Sequence, residues 1–281
     1  MKTWKKIVLG VSLISLFLGG GLVAWGYSQG GLIDLQNQTK SEQDYVKKEV
    51  DDFSKIDIKS SSYNVLIKNG DVDKATLSYY QKTKNPIDTS VKDGQLTIND
   101  NNSELDSTSN KHINFFGLKD LVRLSTLNEE VRNKTIVITL PKKQTIDFLK
   151  VDLATGNLDL SNSTIKQADI NLNVGDLTFT KMIVSNLKAN LDVGSVDSDH
   201  TLFTNSDLSI AMGDYSGDNL IFNGHNKLDV TSGDIEIVLK DYTLNVQADS
   251  HSGEVDITNN LKISKDNTLT ITSDLGDITV E

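Results

Sequence analysis

LKVDLATGNLDLS, residues 149–161, is answered by ADINLNVGDLTFT at 168–180 and again by NKLDVTSGDIEIV at 226–238. Seven glycines mark the copies: Gly156, Gly175, Gly194, Gly213, Gly233, Gly253 and Gly276, spaced 19, 19, 19, 20, 20 and 23 residues apart. With each glycine as zero, apolar residues recur at −5, −3, +2 and +4. The −5 column is Val151, Ile170, Ala189, Leu208, Leu228, Ala248 and Ile271, and the +2 column is Leu158, Leu177, Val196, Tyr215, Ile235, Val255 and Ile278. The −3 column holds through Val230 and turns polar at Ser250 and Ser273.

Alternation with period two marks a strand with one buried face. The phase changes at the glycine, from odd offsets before it to even ones after it. A bend that reverses the inward side needs a residue of wide backbone freedom, which glycine has. Two short strands and a corner make one coil, and coils stacked about 4.8 Å apart pair each strand with its equivalents above and below. A lone coil cannot repay its ordering entropy, so neighbours must share the core. The expected fold is all-β: a parallel β-solenoid of about seven coils of 19–20 residues over 149–281, about 30 Å tall, wound right-handed. Ile56, Ile58, Val65 and Ile67 echo the pattern with Tyr63 in the glycine's place. Residues 53–148 are therefore expected to form an irregular β cap, interrupted by an insertion at 99–134.

The N-terminus is of a different kind. Ile7 to Tyr27 contains 21 residues and no charge, after Lys2, Lys5 and Lys6. As a helix this run is about 31 Å long, the thickness of a bilayer core. Lysines before it and Asp34, Glu42 and Asp44 after it place residues 1–6 in the cytoplasm and the C-terminal domain outside the cell membrane. A signal-anchor at 7–27 is expected, with a cleaved signal peptide as the alternative, and residues 28–52 are expected to be an extracellular tether, a short helix at 44–52 being the weaker reading there. The chain has no cysteine and a net charge of −11. Disulfides, thiolate metal sites and cysteine nucleophiles are excluded, and an acidic surface disfavours nucleic acid. No cofactor is expected.

FSKIDIKSSSYNVLI (53–67), DGQLTI (93–98) and TIVITLPKKQ (135–144) running into the first glycine repeat resemble the putative-adhesin domain family of bacterial surface proteins with β-strand repeats. The likeness covers about residues 50–281. It implies a membrane-anchored accessory of cell-envelope stress responses in Gram-positive bacteria, and it carries no functional residues across.

The residue after the glycine is acidic in five units: Asp176, Asp214, Asp234, Glu254 and Asp277. Asp214, Asp234 and Glu254 are expected on consecutive coils, where they either accept corner N–H groups or hold calcium. Phe115, Phe116, Leu118 and Leu121 form an apolar cluster inside the insertion, suited to core packing or to a partner contact. Ser198-Asp199-His200 are sequence neighbours whose side chains alternate in direction, which does not make a triad. Ser163 to Lys166 matches S-x-x-K without its companion motifs. The terminal strand Ile278–Val280 is expected to be an exposed edge available to a second copy or another protein.

Two functions follow. The first is a non-enzymatic stress accessory binding a cationic peptide, a wall precursor or a membrane protein. The second is a surface adhesin for host or neighbouring-cell ligands. A carbohydrate-active enzyme of the β-helix type is a third, weaker reading. A short tether and a body some 30–50 Å long cannot cross a thick wall, which favours the accessory.

Overall fold

The computed structural model describes residues 43–82, 86–100 and 134–281, and these contain strands and turns with no helix. The anchor at 7–27, most of the tether, and the cluster Phe115, Phe116, Leu118 and Leu121 lie outside the described residues.

The mid-stack coils have three faces rather than two. In one mid-stack coil, Ala168–Val174 forms the first face, Leu177–Thr180 the second and Ile183–Ser185 the third. All three pair in parallel with the next coil at an offset of 19 residues: Ile170 with Ala189, Leu177 with Val196, Val184 with Phe203. The third face buries a column the glycine count does not expose, made of Ile146, Ile165, Val184, Phe203 and Phe222. Phe179, Phe203 and Phe222 meet across the interior, with ring centroids 5.3 and 5.7 Å apart.

The extra corner is made without glycine. Asn162, Lys181, His200 and Asn219 all have φ near +50°, a region that asparagine enters more easily than other side chains. At the glycine corner the constraint is close approach. A Cβ on Gly194 would sit 1.9 Å from the carbonyl oxygen of Gly175 in the neighbouring coil, and its φ is +146°. Both conformation and contact therefore demand glycine at 156, 175, 194, 213, 233 and 276, and contact alone at Gly253.

Where the +4 column loses its bulk, at Ser198 and Gly217, the ring of Tyr215 occupies the space. A Cβ on Gly217 would lie 3.1 Å from that ring, and the buried Tyr215 hydroxyl donates to Ser198 Oγ at 3.4 Å. Outward on the first face, Asp57, Lys150, Asp169, Lys188, Asp207 and Lys227 stack in register with alternating sign. Each inner member of the column thus stands between residues of opposite charge on strands about 4.8 Å to either side.

Coil order departs from chain order at both ends. Thr268–Leu275 pairs with His225–Ser232 on one side and Asn245–Ser252 on the other. Ile278–Val280 likewise lies between Ile235–Leu239 and Val255–Ile257. The chain skips a level, builds the outermost coil at 245–257, and returns to fill the gap. The expectation that Ile278–Val280 is the exposed edge is thus corrected, because that strand is paired on both sides. At the other end, Lys55–Ser60 and Asn64–Gly70 sit between Gln95–Asn99 with Thr135–Pro141 and Phe148–Leu153 with Leu158–Ser161. Ile56, Ile58, Val65 and Ile67 do occupy the repeat's columns, opposite Leu149, Val151, Leu158 and Leu160.

Residues 53–148 thus contribute first- and second-face strands to the stack itself, and among the described residues the cap is a smaller antiparallel layer. Thr76–Lys82 pairs antiparallel with Thr135–Pro141, and Asp88–Lys92 with Gln95–Asn99 through a hairpin whose Asp93 and Gly94 have positive φ. Gln43–Glu49 extends this layer as a strand, where the end of the tether is expected from the sequence. The Tyr45 and Tyr80 rings pack 4.9 Å apart.

Candidate functional site

The corner after each glycine carries a ladder of side-chain acceptors. The backbone N–H of Asp176 donates to Asn157 Oδ1 at 3.0 Å, Ser195 to Asp176 Oδ1 at 3.0 Å, Asp234 to Asp214 Oδ1 at 2.9 Å, Asp277 to Asp234 Oδ1 at 2.9 Å and Glu254 to Asp277 Oδ1 at 2.8 Å. Asp277 intervenes between Asp234 and Glu254, so the expected run of Asp214, Asp234 and Glu254 on consecutive coils is corrected by the returning strand. The charge-assisted bonds offset part of the repulsion along the column.

At the first coil this corner is built differently, and a groove opens beside it. Ser60 Oγ accepts from the N–H groups of Ser62 (3.3 Å) and Tyr63 (3.0 Å), turning the chain through a serine-capped bend. Asp100, which is buried, accepts from Ser60 Oγ at 3.2 Å and from Ser61 N and Oγ at 3.3 and 3.0 Å. Burial, with Asp100 and Tyr79 nearby, pushes the Tyr63 phenol up to about 12. The groove has a volume of about 630 Å³, with Lys59, Ser61, Asp100, Asp152, Asn171 and Asn173 among its walls. Within its wall Asn171 Nδ2 donates to Asp152 Oδ1, and Asn190 Nδ2 of the next coil donates to Asn171 Oδ1, each at 3.0 Å. Amides, carboxylates, hydroxyls and one ammonium at coil spacing are the chemistry that binds polyhydroxylated or zwitterionic groups.

Other polar groups are dispersed. On the outer side of the second face Asp159 is 1% exposed, and neither carboxylate oxygen has a hydrogen-bond partner among the described residues. Burial, with Asp176 adding, raises its pKa to about 8. Asp199, His200 and Asp218 approach one another at the second corner, with His200 Nδ1 2.6 Å from Asp199 Oδ1. Ser198 points inward to Tyr215, away from that pair. Ser163 Oγ donates to Asn69 Oδ1 at 2.7 Å and also lies 3.0 Å from the Ser161 carbonyl, while Lys166 pairs with Asp147, so the S-x-x-K residues serve separate contacts.

The two ends of the stack differ. At the outermost C-terminal coil, Asn245–Ser252 and Val255–Ile257 each have, among the described residues, a strand partner on one side only. Val246, Ala248 and Ile257 stand in core columns yet are only partly buried, and Val255 is 42% exposed. Ile263, on the adjoining loop, is 86% exposed. The glycine spacing locates these residues; it does not reveal that they are outermost, because the return of 268–280 leaves no local mark in composition.

The family model for Toastrack DUF4097 matches residues 53–281. Among solved structures, a putative adhesin from Bacteroides fragilis aligns over 85% of this chain and 97% of its own at 15% identity and a TM-score of 0.43. A putative lipid binding protein from Parabacteroides distasonis aligns over 85% and 97% at 13% identity and a TM-score of 0.40. A putative cell adhesion protein from Clostridium sporogenes aligns over 85% and 98% at 16% identity and a TM-score of 0.36. No curated protein matches the chain.

Proposed function

The chain belongs to the Toastrack DUF4097 family through residues 53–281, and from that premise we propose that it is a non-catalytic binding module of the bacterial cell envelope, exported and held at the membrane by residues 7–27. The observation that carries the reading is the polar groove beside Asp100, Asp152 and Asn171. It lies on a β-stack whose inward columns are closed by packing, so ligand recognition falls to the outer faces. Its ligand is a wall precursor or comparable polyhydroxylated envelope component, with Lys59 placed for a phosphate or carboxylate and the asparagine ladder for hydroxyls. The acidic balance of the chain, −11, also suits cationic peptides at the surface.

Calorimetry of the full chain with soluble wall-precursor fragments and, separately, with a cationic peptide tests this. Binding of the fragments that falls at least tenfold in the Asp152→Ala, Asn171→Ala double variant is expected. Fragment binding unaffected by that variant overturns the groove's role, and peptide binding alone makes surface charge the operative feature. Cross-linking in living cells under a wall-active antibiotic then separates accessory from adhesin. Links to membrane or wall components support the former, and links only to secreted, host or neighbouring-cell material support the latter. The adhesin reading has one structural observation in its favour, the open outermost coil.

A further inference from the structure

We infer that the open C-terminal coil is a self-association surface, on which a second copy of this chain pairs end to end about a twofold axis. The capped end rules out head-to-tail stacking. Its outer edges carry the antiparallel strands Thr76–Lys82 and Asp88–Lys92, so an open coil cannot continue in parallel onto the first coil of another molecule. Two open ends meeting make a closed, isologous pair.

The end face is self-complementary. Asn245–Ser252 offers an edge of eight residues, about 26 Å long. An antiparallel pairing centred on Gln247 sets Val246 against the partner's Ala248 on the inner side and Asn245 against the partner's Asp249 on the outer side. Centring on Asp249 would oppose two carboxylates, which is unfavourable. The same twofold exchanges the ends of the strand, and so lays the second face of each copy over the 258–267 loop of the other. Glu254 and Asp256, both exposed, then face the partner's Lys262 and Lys265, also exposed. Val255 and Ile263, 42% and 86% exposed in the single chain, come to lie against each other across the interface. Apolar, ionic and backbone groups are therefore matched by one operation.

The face is small. It buries on the order of 1,000 Å² in total, at the low end of specific interfaces, so the pair is weak in dilute solution and responds to local concentration.

The absence of cysteine makes the test direct. Gln247→Cys and, as a control on the same face at mid-stack, Lys188→Cys are made in the full chain and treated with a short bis-maleimide. Gln247→Cys is expected to yield covalent dimer at least fivefold above Lys188→Cys. Adding Glu254→Lys with Asp256→Lys lowers that yield at least fivefold, and adding Lys262→Glu with Lys265→Glu to the same chain restores it. Equal yields from the two cysteine positions, or a yield indifferent to charge reversal, overturn the proposal. Dimer that survives charge reversal and forms equally well from Lys188→Cys points to association through the N-terminal segment instead. None of these residues lines the groove, so ligand binding is retained whichever result is obtained.

Discussion

The two ends of the solenoid use the same device and finish it differently. At each end one coil is laid down out of order and a neighbouring segment is slotted inside it, so that Asn64–Gly70 and Ile278–Val280 are both flanked by parallel strands. The N-terminal end then adds antiparallel strands over its outer edges, burying Leu77, Tyr79 and Ile87. The C-terminal end adds nothing among the described residues, and Val246, Ala248 and Ile257 are only partly covered. A solenoid's stability is a sum over coil-to-coil interfaces, so a coil with one neighbour is held by about half the contacts of a coil with two. The contrast teaches that one end has its edges covered by antiparallel strands, while among the described residues the other leaves its edges uncovered.

The largest effect expected from breaking this contrast is at the glycine corner. Gly194→Ala drives a Cβ into the Gly175 carbonyl at a backbone φ of +146°, between two coils that cannot separate. A loss of about 4 kcal/mol or failure to fold is expected. Gly253→Ala meets the Gly276 carbonyl at 2.0 Å, but the outermost coil can lift, and about 1 kcal/mol is expected. Urea denaturation of the two variants checks this, and equal losses would deny that the terminal coil is free on one side.

Ile138 and Ile257 occupy the same inward column at opposite ends. Ile138→Ala is expected to cost about 3 kcal/mol, because the capped end cannot collapse around the cavity, and Ile257→Ala about 1 kcal/mol. Similar unfolding midpoints for the pair would mean the open end is packed as tightly as the capped one.

Asp159, near the capped end, gives a pH signature. Its folded pKa of about 8 lies above the ordinary carboxylate value, so between about pH 4 and 8 the folded chain keeps a proton that the unfolded chain releases. Stability therefore falls as pH rises through that window, by at most about 1.4 kcal/mol per unit, and the loss is complete above it. Asp159→Asn is expected to flatten the dependence, measured as the unfolding midpoint at pH 5, 6.5 and 8. An unchanged slope would place the proton elsewhere.

The smallest effect concerns the alternating column. Lys188→Glu sets three acids in a row with Asp169 and Asp207 and is expected to cost about 0.5–1 kcal/mol, reduced by salt. A loss that does not change between low and high salt would show that it does not arise from repulsion along the column.

The glycine repeat made the parallel stack, the first two faces and the inward columns legible, because a period-two alternation with a fixed break is written into adjacent residues. The third face is not legible in the glycine repeat, although its signal is present in Ile146, Ile165, Val184, Phe203 and Phe222. Its strands are two or three residues long, too short to alternate, and its corners use Asn162, Lys181 and His200, which share a backbone conformation and no side-chain type. The coil order was illegible for another reason. The columns of 245–257 and 268–280 are interchangeable in register, and their order is decided by chain connectivity. The groove escaped notice because Ser60, Asp100 and Asp152 come from segments distant in sequence, and only the coil order joins them.

Hydrogen exchange followed by mass spectrometry tests the central claim most directly, namely that the outermost coil is 245–257 and that 268–280 lies inside it. Amides of 268–275 and 278–280 are predicted to exchange far more slowly than those of 245–252 and 255–257, at chain concentrations low enough to keep the open ends apart. Protection that instead declines steadily toward residue 281, with 245–257 slower than 268–280, would contradict the account.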